Sequence, residues 1–164
     1  MGLQLPGELV SLLGMLGYNW PTGDEEKLLE MGRTWTNFSG QFTEPVTQAH
    51  GHAQQVWTDN HGQGIDAFQN AWMGDESPLG NLENGSTAAT MIGVGLMVCA
   101  GIVLALKINV IVQLVLLAIE IASAIAEAVV TFGASLAEIP IFKMITSMII
   151  DQIINLAMMA IFNG

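Results

Sequence analysis

The chain is short of basic residues and of cysteine, and each shortage excludes classes of function. Its 164 residues include 15 acidic but only four basic side chains, which gives a formal net charge of -11. A chain this acidic has no positive surface that could contact a phosphate backbone. We therefore expect no nucleic-acid binding. The single cysteine, Cys99, excludes an internal disulfide and a thiolate zinc site.

The amino-terminal stretch also lacks the features of a cleaved signal peptide. It reads MGLQLPGELVSLLGML, with no basic residue at its start and an early acid, Glu8. We therefore expect that a chain of this kind, if it leaves the cell, uses an export route that reads another signal.

Acidic and apolar residues are distributed very unevenly along the chain. Residues 1–87 contain 11 of the 15 acids and all four tryptophans, whereas 54 of the 77 residues in 88–164 are apolar. Such an apolar segment cannot form an ordinary soluble surface. We therefore predict an acidic region, 1–87, and a hydrophobic region, 88–164, that is buried in lipid, in a partner or in itself.

The acidic region has the periodicity of a helical hairpin. A short helix is predicted over Leu5–Leu16, and Thr22 with Glu25 fits a capping box that starts a longer helix. Apolar residues then recur every three or four positions, a spacing typical of helix packing, with a kink expected at Pro45. The predicted seam is Leu28, Met31, Trp35, Phe38, Phe42, Val46, Ala49, Ala53 and Val56. A turn is predicted at 59–62, and the period resumes at Ile65, Phe68 and Trp72.

The hydrophobic region predicts further helices. Residues 88–106 form an uncharged run of 19 residues that ends at Lys107. The apolar pattern continues to residue 131, with a turn expected at 133–135 and a last helix over 140–162. The region is either one long helix outside a membrane or two membrane helices with a bend near Lys107, because a single span needs only about 20 residues. Together the two regions predict an all-α helical bundle.

Polar residues in the hydrophobic region fall into two stripes at helical spacing. The first stripe includes Gln113, Glu120 and Glu127, and the second includes Lys143 and Asp151. One interpretation is a solvated edge on otherwise buried helices. The other is a polar lining inside a membrane-embedded bundle, because ionisable groups within a membrane usually mark a pathway.

Residues capable of catalysis or metal binding do not form a convincing site. His50 and His52 lie on different sides of a helix, and His61 lies in the predicted turn, which argues against one metal ion bound with Asp59 or Asp66. Acidic pairs occur at helix starts, where capping explains them better than acid–base catalysis. We expect neither an enzyme nor a bound metal or cofactor.

Two stretches resemble a known family. Trp20, Pro21, Gly23 and Asp24 lie in the stretch GYNWPTGDEEKL, while the later stretch contains Trp57, Gly62, Ala67, Phe68 and Trp72. Together with Thr131–Ser135, they resemble the WXG100-like N-terminal domains of actinobacterial polymorphic toxins.

That resemblance implies a helical substrate of type VII (ESX) secretion that is secreted or associated with the cell envelope. It also implies pairing with a small WXG100 protein or with itself, and contact with the secretion machinery. The seam residues Leu28, Trp35, Phe38, Phe42 and Phe68 would pack the hairpin and its partner. The alternative is a membrane-inserting oligomeric pore or anchor formed by the apolar region, with the polar stripes as its lining.

The chain departs from the family pattern in three respects. The residue two positions after Trp57 is Asp59, and the literal Trp-x-Gly is Trp72-Met73-Gly74. Tyr18 is the single tyrosine, so a Tyr-x-x-x-Asp/Glu export signal near the C-terminus is missing. We expect either that a partner supplies that signal or that the chain is a fragment of a longer protein.

Overall fold

The computed structural model describes residues 2–74 and 76–163, and within these ranges it is helical without any strand. The predicted all-α class is therefore confirmed. The α-helices in chain order are α1 (Gly7–Met15), α2 (Glu25–Asp59), α3 (Gln63–Met73), α4 (Pro78–Glu127) and α5 (Ile139–Asn163), with a 3₁₀ turn at Ala134–Glu138.

The start of α2 differs from the prediction. The side chain of Asp24, not Thr22, accepts a hydrogen bond from the backbone N–H of Lys27, at 3.1 Å. The predicted capping box is therefore wrong, because Glu25 is buried and pairs elsewhere. Asp24 satisfies one of the free N–H groups at the helix start.

The turn between α2 and α3 lies where the sequence predicts it. The helix α2 continues through Pro45 to Asp59. The side-chain amide of Asn60 donates to the carbonyl of Val56 at 2.9 Å, which satisfies an acceptor at the helix end. Gly62 has a φ of 131°, a conformation that side chains rarely adopt, so this turn requires glycine.

The hydrophobic region does not begin with a helix of its own. The helix α4 starts after Ser77, whose hydroxyl accepts a hydrogen bond from the N–H of Gly80 at 3.0 Å. It then runs for 50 residues, past residue 87 and past Lys107, without a break. The structure thus contains the single long helix of the two alternatives.

Residues group into two compact units, whose limits differ from the compositional boundary at 87. One, here the terminal unit, combines Met1–Lys27 with Cys99–Gly164, and the other, here the hairpin unit, is Leu28–Val98. The N-terminal segment joins the second half of α4 because its leucines are buried there. Composition alone does not reveal this long-range packing.

The core of the terminal unit joins α1, α4 and α5. The leucines of α1 that face inward meet a row on α4 and one residue of α5; the buried set is Leu9, Leu12, Leu13, Val110, Leu114, Leu117 and Ile150. A nine-residue helix is marginal alone, so burial of its leucines stabilises α1. The hydroxyl of Tyr18 also donates to the carbonyl of Ser147 on α5, at 3.0 Å.

The hairpin unit packs through small residues. Gly32, Ser39, Val46 and Ala53 are buried on α2 at intervals of seven residues. A Cβ added to Gly93 of α4 would lie only 2.8 Å from the carbonyl oxygen of Gly32, so the two helix backbones approach closely there. Small residues permit this approach, and the helices run antiparallel.

Hydroxyl groups join the same two helices. The hydroxyl of Ser39 lies 2.8 Å from the carbonyl oxygen of Ser86, 2.9 Å from the Ser86 hydroxyl and 2.8 Å from the Thr90 hydroxyl. Because Ser39 is buried, these bonds compensate for its lost water. They also set the register of the hairpin.

Candidate functional site

An unpaired row of large apolar side chains lies on α2 of the hairpin unit. We call Met31, Trp35, Phe38 and Phe42 the aromatic stripe. Trp35 is 36% exposed and Phe38 is 45% exposed. The Trp35 and Phe38 rings meet edge to face with centroids 6.0 Å apart, and Phe38 and Phe42 do so at 4.8 Å. This geometry is favourable for aromatic pairs, so the rings stabilise one another's positions.

The stripe lies beside the hairpin core because of its register. Trp35 is adjacent in sequence to Thr36, which lies against Gly93, and Phe38 precedes the buried Ser39. One residue corresponds to about 100° around a helix, so the aromatic side chains lie on the flank of the packed face. A partner helix could contact this flank without opening the hairpin.

The predicted seam is thus divided between two faces. Val46 and Ala53 lie in the core, whereas Met31, Trp35, Phe38 and Val56 are exposed. The predicted seam contains two residues of the buried line, Val46 and Ala53, but not the small residues Gly32 and Ser39. The seven-residue spacing of Gly32, Ser39, Val46 and Ala53 is the signal that could have identified it.

A second aromatic cluster lies at the end of the hairpin. It contains Trp57, Phe68 and Trp72, which belong to the later of the two stretches that resemble the family. The Trp57 and Phe68 ring centroids are 5.9 Å apart, as are those of Phe68 and Trp72. The indole N–H of Trp72 donates to Nδ1 of His50 at 3.3 Å. We call His50, Trp57, Phe68 and Trp72 the turn cluster. The fold thus brings Trp57 and Trp72, from different helices, to one place.

A groove of about 570 Å³ borders this cluster. Its walls include the literal Trp72-Met73-Gly74 motif, together with His50, Ser77 and Glu83. The groove therefore presents an indole ring, an imidazole and a carboxylate on one surface of the hairpin unit. Such a mixed surface suits a peptide segment better than it suits a metal ion.

The N-terminal signature residues surround a buried lysine in the terminal unit. Nζ of Lys107 donates to the carbonyl oxygen of Gly23 at 2.6 Å and to the Glu25 carboxylate at 2.7 Å, and lies 5.9 Å from the centroid of the Trp20 ring. Asp24 caps α2, and Pro21 is half-buried beside them. The stretch that resembles the family motif therefore supplies the groups that contact the buried ammonium of Lys107 on α4.

Sequence reasoning missed both members of this ion pair. The side chains of Lys107 and Glu25 are only 2% and 8% exposed. Burial by itself would raise the pKa of Glu25, but hydrogen bonds from Lys107 and from the backbone N–H of Leu3, with the lysine charge, lower that pKa to about 2. The sequence does contain one signal for this pair, the lone lysine in a long apolar segment. A buried charge of this kind needs a partner.

The residues predicted as a polar lining lie on the surface of the single chain. Glu120, Glu127 and Asp151 are exposed, while Gln113 and Lys143 are partly buried. Asp151 lines a shallow groove along α5 with apolar neighbours, and none of the other four residues lines it. The polar lining therefore stays a prediction.

Among the residues that the structure describes, no group of three His, Cys, Asp or Glu side chains could hold a metal ion. The arrangement of the hairpin unit suits recognition: an exposed aromatic flank, an aromatic turn and a groove at a Trp-x-Gly motif.

Comparison with known proteins assigns the chain to a family. A family model described as a WXG100 like domain matches residues 4–148. The chain belongs to the WXG100-like family. The match extends over both compact units, so the WXG100-like domain includes α1, all of α4 and the first part of α5 as well as the hairpin. Searches of curated proteins and of solved structures return no match.

Membership of the WXG100-like family has consequences for function. Domains of this family are helical proteins related to type VII secretion, and they typically pair with other WXG100 proteins or with themselves. They are typically non-enzymatic. The exposed aromatic stripe is the feature of this WXG100-like domain that fits such pairing.

Proposed function

We propose that this WXG100-like domain recognises a small WXG100 protein through the aromatic stripe on α2. The observation that supports the proposal is the outward orientation of Trp35 and Phe38 on a helix that is already paired inside its own hairpin. Tryptophan and other large aromatic side chains dominate the binding energy of protein interfaces when a partner buries them.

The charge of the chain favours a different protein over a second copy. Residues 1–87 contain 11 acids and two bases, so two copies of this region would repel each other. A partner with a less acidic surface avoids this repulsion. We therefore propose a heteromeric pair.

The proposal is tested by copurification with a small WXG100 protein encoded beside this chain. In W35S/F38S the stripe loses two rings that lie outside the buried residues of the hairpin unit, so we expect at least about tenfold weaker binding with the helical circular dichroism retained. The matched control is M148S, which removes a 64% exposed side chain from α5 in the terminal unit. Equal binding by both variants would reject the stripe as the interface.

We further propose that pairing delivers the chain to a type VII secretion system. The turn cluster with its adjoining groove is the surface we assign to the machinery, since it gathers Trp57, Phe68 and Trp72 at one end of the hairpin. The resemblance to polymorphic-toxin domains makes toxin delivery the proposed setting. Export that continues in cells lacking the type VII motor would contradict this assignment.

A second candidate function is membrane association of the apolar region. Two parts of the chain, Gln63–Glu127 and Ala134–Asn163, contain 18-residue segments apolar enough to cross a bilayer. Only 22% and 11% of these segments are buried within the chain, whereas a core helix of a soluble protein is mostly buried. Lipid is one medium that would cover them.

Fractionation separates the two candidates. Cells expressing the chain without a WXG100 partner are lysed, and their membranes are washed with carbonate. Retention of the chain in the washed membranes supports membrane association. Complete release into the wash, with solubility that depends on the partner, supports the recognition function alone and contradicts the anchor.

A further inference from the structure

We propose that the turn between α4 and α5 is a membrane-inserting tip that enters the surface of an uncharged bilayer. We define the α4–α5 tip as Val129, Val130 and Phe132. The proposal rests on the membrane association proposed above and names the segment and the lipid for it.

Exposure of apolar side chains is greatest at this tip. Val129 is 84% exposed, Val130 is 80% exposed and Phe132 is 99% exposed. These three residues lie within four positions of a turn, and each is almost fully exposed, so no neighbouring part of the described chain covers any of them. A docked helix would cover one side of the turn, whereas lipid surrounds a protrusion on all sides.

Several polar groups of the turn are bonded within the chain. The N–H of Gly133 donates to the carbonyl of Ala128 at 2.8 Å, and the N–H of Ala134 donates to that of Thr131 at 3.1 Å. The buried hydroxyl of Ser135 donates to the carbonyl of Ala124 at 2.7 Å.

The hydroxyl of Thr131 completes this set of internal bonds. It lies within hydrogen-bonding distance of the Glu127 carbonyl, at 2.9 Å, and of the Ser135 hydroxyl, at 3.1 Å. Lipid chains offer no hydrogen bonds, so a segment that enters them must satisfy its backbone internally. Several polar groups of the turn thus have partners within the chain, which lowers the cost of placing this segment at the surface of a bilayer.

The conformation of Phe132 strengthens the inference. Its φ is 52°, which lies in the left-handed region. Glycine adopts such values readily, but a bulky residue rarely does. Gly133 follows with a φ of 85°, so the chain reverses tightly over these two residues. The phenyl ring is thereby held fully exposed at the end of the turn. Backbone strain of this kind is concentrated at functional segments.

The charges near the tip indicate which lipid it enters. Residues 128–137 contain no charged side chain, and the nearest charges on either side are the acids Glu127 and Glu138. Anionic headgroups would be repelled by these carboxylates, and no lysine or arginine is close enough in sequence to attract them. The tip therefore fits a zwitterionic surface such as phosphatidylcholine.

A fluorescent label reports insertion directly. In a C99S background, Val130→Cys carries the environment-sensitive dye NBD, and the full chain is mixed with phosphatidylcholine vesicles. We expect a blue shift and a rise in emission, because the dye enters a medium without water. The matched control is the same dye on Gln54→Cys, an exposed polar position of α2, where we expect no change.

Loss of the apolar side chains should abolish this association. In V129S/V130S/F132S each substitution removes surface that lipid would bury, so we expect vesicle binding at least about tenfold weaker. V10S, which removes a 53% exposed valine from α1, is the control and should bind normally. Thermal unfolding of the triple variant in the absence of vesicles should match that of the parent chain, because no core residue changes.

Each outcome decides a different point. An unchanged NBD spectrum with vesicles, in a chain that carbonate does not extract from membranes, overturns the tip but leaves the anchor. A blue shift that appears without vesicles as protein concentration rises also overturns it, since the tip would then contact a second copy. Stronger binding to anionic than to phosphatidylcholine vesicles contradicts the choice of lipid.

Discussion

Lys107 is the single basic residue between positions 34 and 142, and the fold buries it completely. An unpaired ammonium in that position would be very costly, because burial removes its water. Glu25, the carbonyl of Gly23 and the face of Trp20 replace that water. The ion pair thus allows α4 to continue without a break past a charged residue in an otherwise apolar segment. It also holds the N-terminal segment against α4.

Removing one member of the pair should destabilise the terminal unit. K107M keeps the length of the side chain but leaves the Glu25 carboxylate buried without its counter-charge, so we expect a loss of about 3–5 kcal/mol. In E25Q/K107M no charge remains, and the amide still accepts from Leu3, so most of that loss should be recovered. Urea unfolding followed by tryptophan fluorescence measures both. Equal stability of the single and double variants would show that the pair is not coupled.

The pH dependence of stability follows from the same pair. The pKa of Glu25 lies at about 2 in the folded chain, below its usual 4.5. A depressed carboxyl pKa stabilises the fold above the unfolded value, so this stabilisation is complete above about pH 4.5 and declines as pH falls towards 2. The difference in unfolding free energy between the parent chain and E25Q should therefore shrink over this window. A difference that stays constant from pH 6 to pH 3 would contradict the assignment.

At the scale of the helices, the close crossing of α2 and α4 depends on two glycines. A Cβ at Gly93 would lie 2.5 Å from the Thr36 hydroxyl oxygen and 2.8 Å from the backbone oxygen of Gly32, so G93A must push the helices apart. We expect a loss of about 1–3 kcal/mol, as for other overpacked sites.

Gly95 is the matched control for this crossing. It lies on the same helix, but a Cβ there meets nothing within 4 Å, so G95A should be neutral or slightly stabilising, by up to about 1 kcal/mol. Thermal unfolding monitored by circular dichroism compares the two variants. An equal effect of both would mean that helix propensity, not the crossing, determines the result.

The helices themselves were predictable because periodicity and turn residues are local signals. The turn at 59–62, the passage of the helix through Pro45 and the last helix after residue 133 all follow from them. The sequence is less informative about which side of each helix is buried. The line that holds the hairpin together is small and partly polar, as at Gly32 and Ser39, and therefore has little hydrophobic signal.

Long-range pairing was the part that sequence could not reveal. Lys107 marks an interruption in the sequence, but only the fold shows that it meets Glu25, 82 positions earlier. The stretch containing Trp20, Pro21, Gly23 and Asp24 resembles the family motif in sequence. Only the structure shows that this stretch contacts the buried Lys107.

At the scale of the whole molecule, the chain has more apolar surface than it can bury. The hairpin unit leaves the aromatic stripe uncovered, and in the terminal unit the α4–α5 tip is almost fully exposed. Contiguous exposed apolar surface of this kind marks interaction sites. The two surfaces differ in chemistry: the stripe is the flank of a helix and carries paired rings, whereas the tip is a turn without charged side chains. We assign the first to a protein partner and the second to lipid.

The central claim is that the aromatic stripe contacts a WXG100 partner, and site-specific photocrosslinking tests it most directly. A benzophenone amino acid replaces Phe38 in the full chain, expressed together with the small WXG100 protein, and the same probe at Met148 serves as the control. The account predicts a crosslink from position 38 to a helix of that WXG100 protein, identified by mass spectrometry, and none from position 148. A crosslink from position 38 only to a second copy of this chain, or to lipid, would contradict it.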